Sequence, residues 1–238
     1  MRDPESVRRQ YASEDPLETR RAVWGPGPSG VDPVDVVLAE VGAALPASRA
    51  LPDVLELGCG TGALAERIRA AHPGVALIAT DLSARMVALT AERGIPARVM
   101  DAAAMDVPSA SYDVVVAAWM LYHLPDLDAG LVEIRRVLRP GGSLVAVTLG
   151  EVHVADLRRE AGGQPIPLSF SAENGEARLR RHFAAVRRTD VETRATFADA
   201  DAALTYLRST GEDVDWSLPP FDGPRTYAGH VAVLTATA

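Results

Sequence analysis

The residues 54–63 run Val54-Leu55-Glu56-Leu57-Gly58-Cys59-Gly60-Thr61-Gly62-Ala63, an apolar stretch that breaks into a glycine-rich turn. Glycines in such a turn permit positive φ and let a ligand approach the backbone closely. One acid, Glu56, stands just before the turn. A second, Asp81, closes the next apolar run, and a third, Asp101, closes the one after and is followed by the small Ala102. Carboxylates at the ends of strands accept hydrogen bonds from hydroxyls and amines, and such charge-assisted bonds are about twice as strong as neutral ones. Two histidines, His123 and His153, follow later apolar runs. Imidazole is the usual general base near neutral pH, so both are candidates to accept a proton. Cys59 is the only thiol and reads as a small residue in a tight turn.

The glycine turn supports two readings. A dinucleotide fingerprint requires G-x-G-x-x-G/A, which Gly58, Gly60 and Ala63 satisfy, with an acid about 20 residues on, a place that Asp81 fills. The other reading is S-adenosylmethionine binding. It favours an acid before the first glycine (Glu56), a further glycine at Gly62, and a second acid with a small successor at the end of the third strand (Asp101, Ala102). The chain has no Lys, so the Tyr–Lys relay of many nicotinamide enzymes has no counterpart.

The elements that must position these groups follow from hydrophobic patterning. Short apolar runs at Val54–Leu57, Val75–Thr80, Ala97–Met100, Val114–Ala118 and Ser143–Thr148 alternate with amphipathic stretches such as Leu64, Ile68, Ala71 and Leu131, Ile134, Val137, Leu138. That alternation predicts βαβ units and a parallel sheet covered on both faces. Asp32 as a cap and Pro33 in the first turn predict a helix carrying Val34, Val37, Leu38 and Val41 on one face. Further helices are predicted around Ala172–Phe183 and Ala198–Arg208, and strands near Val186–Thr196 and Val231–Thr237. Gly25-Pro26-Gly27-Pro28-Ser29-Gly30 is predicted to hold neither helix nor strand and to act as a hinge. The expected organisation is a lid and hinge over 1–30, a cofactor-binding core over 31–150, and a part over 151–238 that completes the sheet and the substrate cleft.

The chain resembles the class I S-adenosylmethionine-dependent methyltransferases of the small-molecule type. The resemblance rests on Glu56 to Gly62, Thr80-Asp81-Leu82-Ser83 with Met86, Met100-Asp101-Ala102, Tyr112 to Val116, Leu121-Tyr122-His123-Leu124-Pro125-Asp126, and Leu138-Arg139-Pro140-Gly141-Gly142. Phe170 to Gly175 is similar to a branch common in actinobacteria. The resemblance implies a doubly wound, seven-stranded, mostly parallel α/β sheet of order 3-2-1-4-5-7-6 with strand 7 antiparallel. It implies that Glu56, Gly58, Cys59, Gly60 and Gly62 form the cofactor turn and that Asp81 accepts from both ribose hydroxyls. Leu82 and Met86 would line the adenosine, Asp101 and Ala102 would read the adenine, and the Ala118 carbonyl would take the methionyl ammonium. It also implies an N-terminal cover, in which Tyr11 and Trp24 close the cleft or Trp24 simply anchors a docked helix. Trp119, Tyr122 and His153 are candidates to line the acceptor cleft. His123 either serves as the base or packs the rim.

Composition narrows the rest. The chain has 238 residues, a formal net charge of −8 and 47% hydrophobic residues, as expected of one globular domain with an ordinary core. The net acidity disfavours long nucleic acids as partners, and Arg178, Arg180, Arg181, Arg187 and Arg188 lie among acids as a solvated face would. A single Cys excludes a disulfide framework and a multi-Cys metal site, and no metal is expected. The fourth strand lacks an Asn-Pro-Pro-Tyr sequence, unlike enzymes that methylate nucleobase amines. The charged start and the short apolar runs predict neither a secretory signal nor a membrane span, hence a cytoplasmic protein. The expected reaction is transfer of a methyl group to an O or N atom of a small molecule, within bacterial specialised metabolism. A non-methylating S-adenosylmethionine-binding protein and an RNA or protein methyltransferase are the alternatives.

Overall fold

The computed structural model describes residues 15–165 and 167–238. Tyr11 lies outside them. The chain alternates strands and helices from β2 onward. In order these are α1 (Asp15–Ala22), β1 (Trp24–Pro26), α2 (Pro33–Ala44), β2 (Asp53–Leu57), α3 (Ala63–Ala71), β3 (Ala76–Asp81), α4 (Ala84–Glu92), β4 (Ala97–Val99) and β5 (Tyr112–Ala118). A 3₁₀ turn (Leu121–His123) precedes α5 (Leu127–Val137), β6 (Leu138–Leu149), α6 (Ala155–Glu160), α7 (Gly175–Leu179), β7 (Ala185–Phe197), α8 (Ala200–Ser209) and β8 (Arg225–Thr237).

The sheet order is β1-β7-β8-β6-β5-β2-β3-β4. Strands β4, β3, β2, β5 and β6 are parallel to one another, and β8 runs antiparallel between β6 and β7. Read from β4, this is the expected order with one strand added. The eighth strand corrects the reading of the glycine–proline stretch as strandless. Trp24 pairs with Ala195, Gly25 with Arg194 and Pro26 with Thr193. An edge strand needs ladder bonds on one side only, so Pro is tolerated there. Gly27 continues the contact through its N–H to the Glu192 carbonyl at 3.0 Å. The helix expected over Ala172–Phe183 shrinks to α7. Its beginning is taken by a local turn in which the Asn174 side chain accepts from Ser171 N–H at 2.9 Å and donates to the Leu168 carbonyl at 3.0 Å.

Alternate side chains of the parallel strands feed two cores. Leu55, Leu57, Val115 and Ala117 pack with Leu131 and Ile134 of α5 on one face. Val54, Val114 and Val116 pack on the other with Val37 and Val41 of α2 and Ile68 of α3. Truncating a fully buried residue such as Ile134 to Ala costs roughly 2–5 kcal/mol. The predicted α2 cap is present, Asp32 accepting from Val34 N–H at 2.8 Å. At the amino edge Asp113 accepts from Asp53 N–H at 2.8 Å and pairs with Arg139 at 2.9 Å. Asp113 therefore fastens β2, β5 and the start of β6 together.

The antiparallel strands do something different. Strand β6 ends with Leu149 opposite Val231, yet β7 and β8 stay paired from Val191–Val231 out to Phe197–Arg225. This ribbon, with β1 on its flank, extends past the end of β6 at the carboxyl edge of the parallel strands. A third core covers one face of it, built from Phe197, Tyr206 and Leu207 of the β7–β8 connection together with Trp216, Tyr227 and Leu157 of α6.

Candidate active site

Strand β2 delivers the glycine turn to the carboxyl edge. Gly58 and Gly62 have φ of +68° and +78°, and a Cβ on Gly62 would lie 2.9 Å from the Thr90 Cα. A side chain at either position is strained by the positive φ, and it would press on the Met120 side chain at Gly58 and on the Thr90 backbone at Gly62. Cys59 N–H donates to the Thr80 carbonyl at 2.9 Å, and the Thr90 hydroxyl donates to the Gly60 carbonyl at 3.1 Å. Thr90 is thus a brace for the turn that sequence reading missed, because a Thr on the apolar face of a helix carries no signal of its own. Burial pushes the Cys59 thiol up to about 12, so it is not a thiolate at neutral pH.

Asp81 ends β3 and faces the turn. Its two oxygens accept from Gly60 N–H and Ser83 N–H, both at 2.9 Å. A carboxylate offers about four lone-pair sites, so room remains for further donors. Burial raises the Asp81 pKa, and the backbone bonds from Ser83, Gly60 and Leu82 oppose that rise. Glu56 is 2% exposed, and among the described residues its Oε2 has no hydrogen-bond partner. Burial first, then the charge of Asp81, pushes Glu56 up to about 8, with Arg21 pulling the other way.

Arg21 belongs to α1, whose Leu17 Cδ2 lies 3.2 Å from where a Gly60 Cβ would be. Its guanidinium donates to the Thr61 hydroxyl at 3.4 Å. Desolvation and the neighbouring Arg93 lower its pKa, while Glu18 and Glu56 raise it. Arg21 is a second residue that sequence reading did not place at the site. Its position is set by the docking of α1, which no spacing announces.

The remaining predicted residues fall along the same edge. Met86 is fully buried in α4, whose N-terminus Ser83 caps by accepting from Met86 N–H at 3.4 Å. Asp101 is exposed and accepts from Ala103 N–H at 2.9 Å, while Ala102 is buried. Ala118 is the last residue of β5, opposite Val147. Trp119 follows it at φ +55°, a strained backbone that its N–H bond to the Val147 carbonyl at 3.0 Å holds in place. His123 closes the 3₁₀ turn, half-buried, its ring 4.6 Å from that of Tyr122. His153 follows β6 and stacks on Trp24 with ring centroids 4.2 Å apart. Trp24 and His153 therefore come together on the ribbon, while Glu56, Asp81 and the glycines gather at the turn. Among the described residues no three His, Cys, Asp or Glu side chains are grouped to hold a metal, and no helix is long and apolar enough to cross a membrane.

A parallel sheet with a glycine turn after its first parallel strand, an acid ending the next, and one strand, β8, running antiparallel between β6 and β7 is the arrangement of the class I S-adenosylmethionine-dependent methyltransferase fold. The fold matches the YcgJ protein of Bacillus subtilis with a TM-score of 0.62 at 18% identity, over 85% of this chain and 98% of that one. Residues 55–146 match the family model described as a methyltransferase domain. A malonyl-[acyl-carrier protein] O-methyltransferase of Hahella chejuensis is 38% identical over 129 residues, 51% of this chain and 46% of the relative. A demethylmenaquinone methyltransferase of Thermus thermophilus is 33% identical over 100 residues, 40% of this chain and 46% of the relative. The chain thus spans about half the length of the curated relatives it matches.

Proposed function

We propose that this protein transfers a methyl group from S-adenosylmethionine to an O or N atom of a small molecule. The observation that carries the reading is the joining of the glycine turn to Asp81 through Gly60 N–H, with the buried Glu56 beside them. The residues fit the cofactor: a turn whose three glycines carry no Cβ, a carboxylate with acceptor sites left for ribose hydroxyls, and a buried acid whose Oε2 is left for a cationic group. When bound, S-adenosylmethionine supplies a methyl group activated by its sulfonium, released to the acceptor as the C–S bond breaks. The chain's own part is to hold, orient and exclude water, which lowers much of such a barrier. His123, at the rim after β5, is assigned to take the proton that leaves the acceptor. Arg21 and Leu17 of α1 cover the turn, in keeping with a cover over residues 1–30. The acceptors named for the two relatives, a malonyl group on an acyl-carrier protein and demethylmenaquinone, and the net acidity of this chain support a small acceptor group. The setting implied by the family resemblance is bacterial specialised metabolism, and the location expected from the sequence is the cytoplasm.

Titration calorimetry with S-adenosylhomocysteine and, separately, NADH tests the cofactor reading. Saturable binding of S-adenosylhomocysteine alone supports it. Binding of NADH in its place, or of neither, overturns it.

A further inference from the structure

Two buried polar atoms on the ribbon lack a purpose in the fold. Among the described residues, His153 Nδ1 and Thr193 Oγ1 have no hydrogen-bond partner. Thr193 is 5% exposed, on the inward face of β7 with Ala195 and Phe197. Both atoms adjoin the same ring. Trp24 stacks on the His153 imidazole, and a Cβ on Gly229, opposite Thr193, would lie 2.3 Å from both Thr193 Oγ1 and Trp24 Cζ3. The missing side chain at Gly229 is what lets the hydroxyl and the indole come so close.

The state of the imidazole follows from its surroundings. Burial pushes its pKa down to about 3, with the charges of His230 and Arg158 acting the same way and a hydrogen bond to the His230 backbone opposing them. Burial keeps the ring neutral at pH 7, and Nδ1 stands without a partner among the described residues. Buried polar groups are almost always satisfied, by protein, water or ligand. The cationic side chains nearby are already engaged: Arg158 pairs with Glu212, and Arg20 donates to the Ser209 carbonyl. The Trp24 side chain donates to the Tyr206 hydroxyl. Around the pair stand Phe197, Tyr206 and Trp216.

We propose that this face of the ribbon recognises the acceptor, His153 Nδ1 taking a hydrogen bond from an O–H or N–H of a largely apolar small molecule while the Thr193 hydroxyl meets a second polar atom beside the Trp24 ring. The proposal rests on the methyltransferase reading and names the acceptor class for it. His153 acts here as a positioning residue; a nitrogen so hard to protonate is a poor base.

The test uses full-length protein saturated with S-adenosylhomocysteine, labelled with ¹⁵N-histidine, and two probes of one size: phenol, which donates, and toluene, which does not. Phenol is expected to move the His153 Nδ1 resonance and toluene to leave it in place. His153→Phe keeps the ring stack and removes the lone pair; Thr193→Val keeps the shape and removes the hydroxyl. Each is expected to weaken phenol binding about fivefold, the worth of one neutral hydrogen bond, with S-adenosylhomocysteine affinity unchanged. Thr193→Val serves as the second arm if the His153 variant misfolds. Equal response to both probes, or phenol affinity unaltered in a folded variant, overturns the proposal. So does an Nδ1 resonance already that of a bonded nitrogen and unmoved by phenol, which identifies a resident water or an internal partner. Failure of S-adenosylhomocysteine to bind at all refutes the cofactor reading instead.

Discussion

The parallel half of the sheet and the antiparallel ribbon meet at one edge but are finished differently. Around the glycine turn the polar groups are matched, save Glu56 Oε2: Asp81 to Gly60 and Ser83, Thr90 to Gly60, Cys59 to Thr80. On the ribbon, His153, Thr193 and Trp216 each keep a buried polar atom without a partner among the described residues. A site for a ligand that never varies is best held rigid by the backbone itself. A site for a ligand particular to one enzyme is built from side chains, and its hydrogen bonds are completed by that ligand.

The largest expected effect lies at the seam between the halves. His123→Ala should slow single-turnover methyl transfer by ~10²–10⁴-fold and leave S-adenosylhomocysteine affinity intact. A fall of less than about fivefold would return His123 to rim packing. Next comes Asp81→Ala, which should weaken S-adenosylhomocysteine by roughly 30- to 1,000-fold, about 2–4 kcal/mol, in calorimetry. Unchanged affinity would remove Asp81 from the site. On the ribbon, Gly229→Ala forces a Cβ against Thr193 and Trp24. Overpacking of this kind costs roughly 1–3 kcal/mol, readable by denaturant titration. Cofactor affinity should hold; a parallel loss of it would mean the two halves are one unit.

The smallest effect is a fraction of a proton. Glu56, held near 8 against an ordinary 4.5, is mostly protonated at pH 7 in the free protein. A cationic group bound beside it favours the carboxylate. S-adenosylhomocysteine binding at pH 7 should therefore release protons, seen as a binding enthalpy that changes with the ionisation heat of the buffer. Glu56→Gln should abolish that dependence. The same shift gives a sign for stability. The raised pKa favours the fold fully below about 4.5, and that contribution is lost as pH rises through about 8. The Glu56→Gln variant should lack that decline.

What was legible in the sequence follows the same division. Gly58, Gly60, Gly62 and Asp81 could be read because their spacing is dictated by backbone geometry within one βαβ unit. The order of the core strands could be read because each apolar run and its following helix are local. β1 escaped notice because three residues with Gly and Pro carry no strand pattern, and their pairing with Ala195, Arg194 and Thr193 is a long-range event. Arg21 and Thr90 escaped for the same reason: each meets the turn from an element placed by packing. His153 and Trp24 were named as candidates separately, and their stacking joins residues 129 positions apart in sequence.

The brevity of β1 has a consequence beyond the cleft. Both edges of the sheet, β1 at Trp24–Pro26 and β4 at Ala97–Val99, are only three residues long. Pro26 closes one and Pro96 immediately precedes the other. A passing strand finds few free donors and acceptors on which to template itself, and proline supplies no N–H. The long ribbon strands β7 and β8, each of 13 residues, would be far more adhesive if bare. By laying a short proline-ended strand along residues 192–196 of β7, the chain covers the part of that edge that reaches past β6 and ends the added strand where proline offers no N–H.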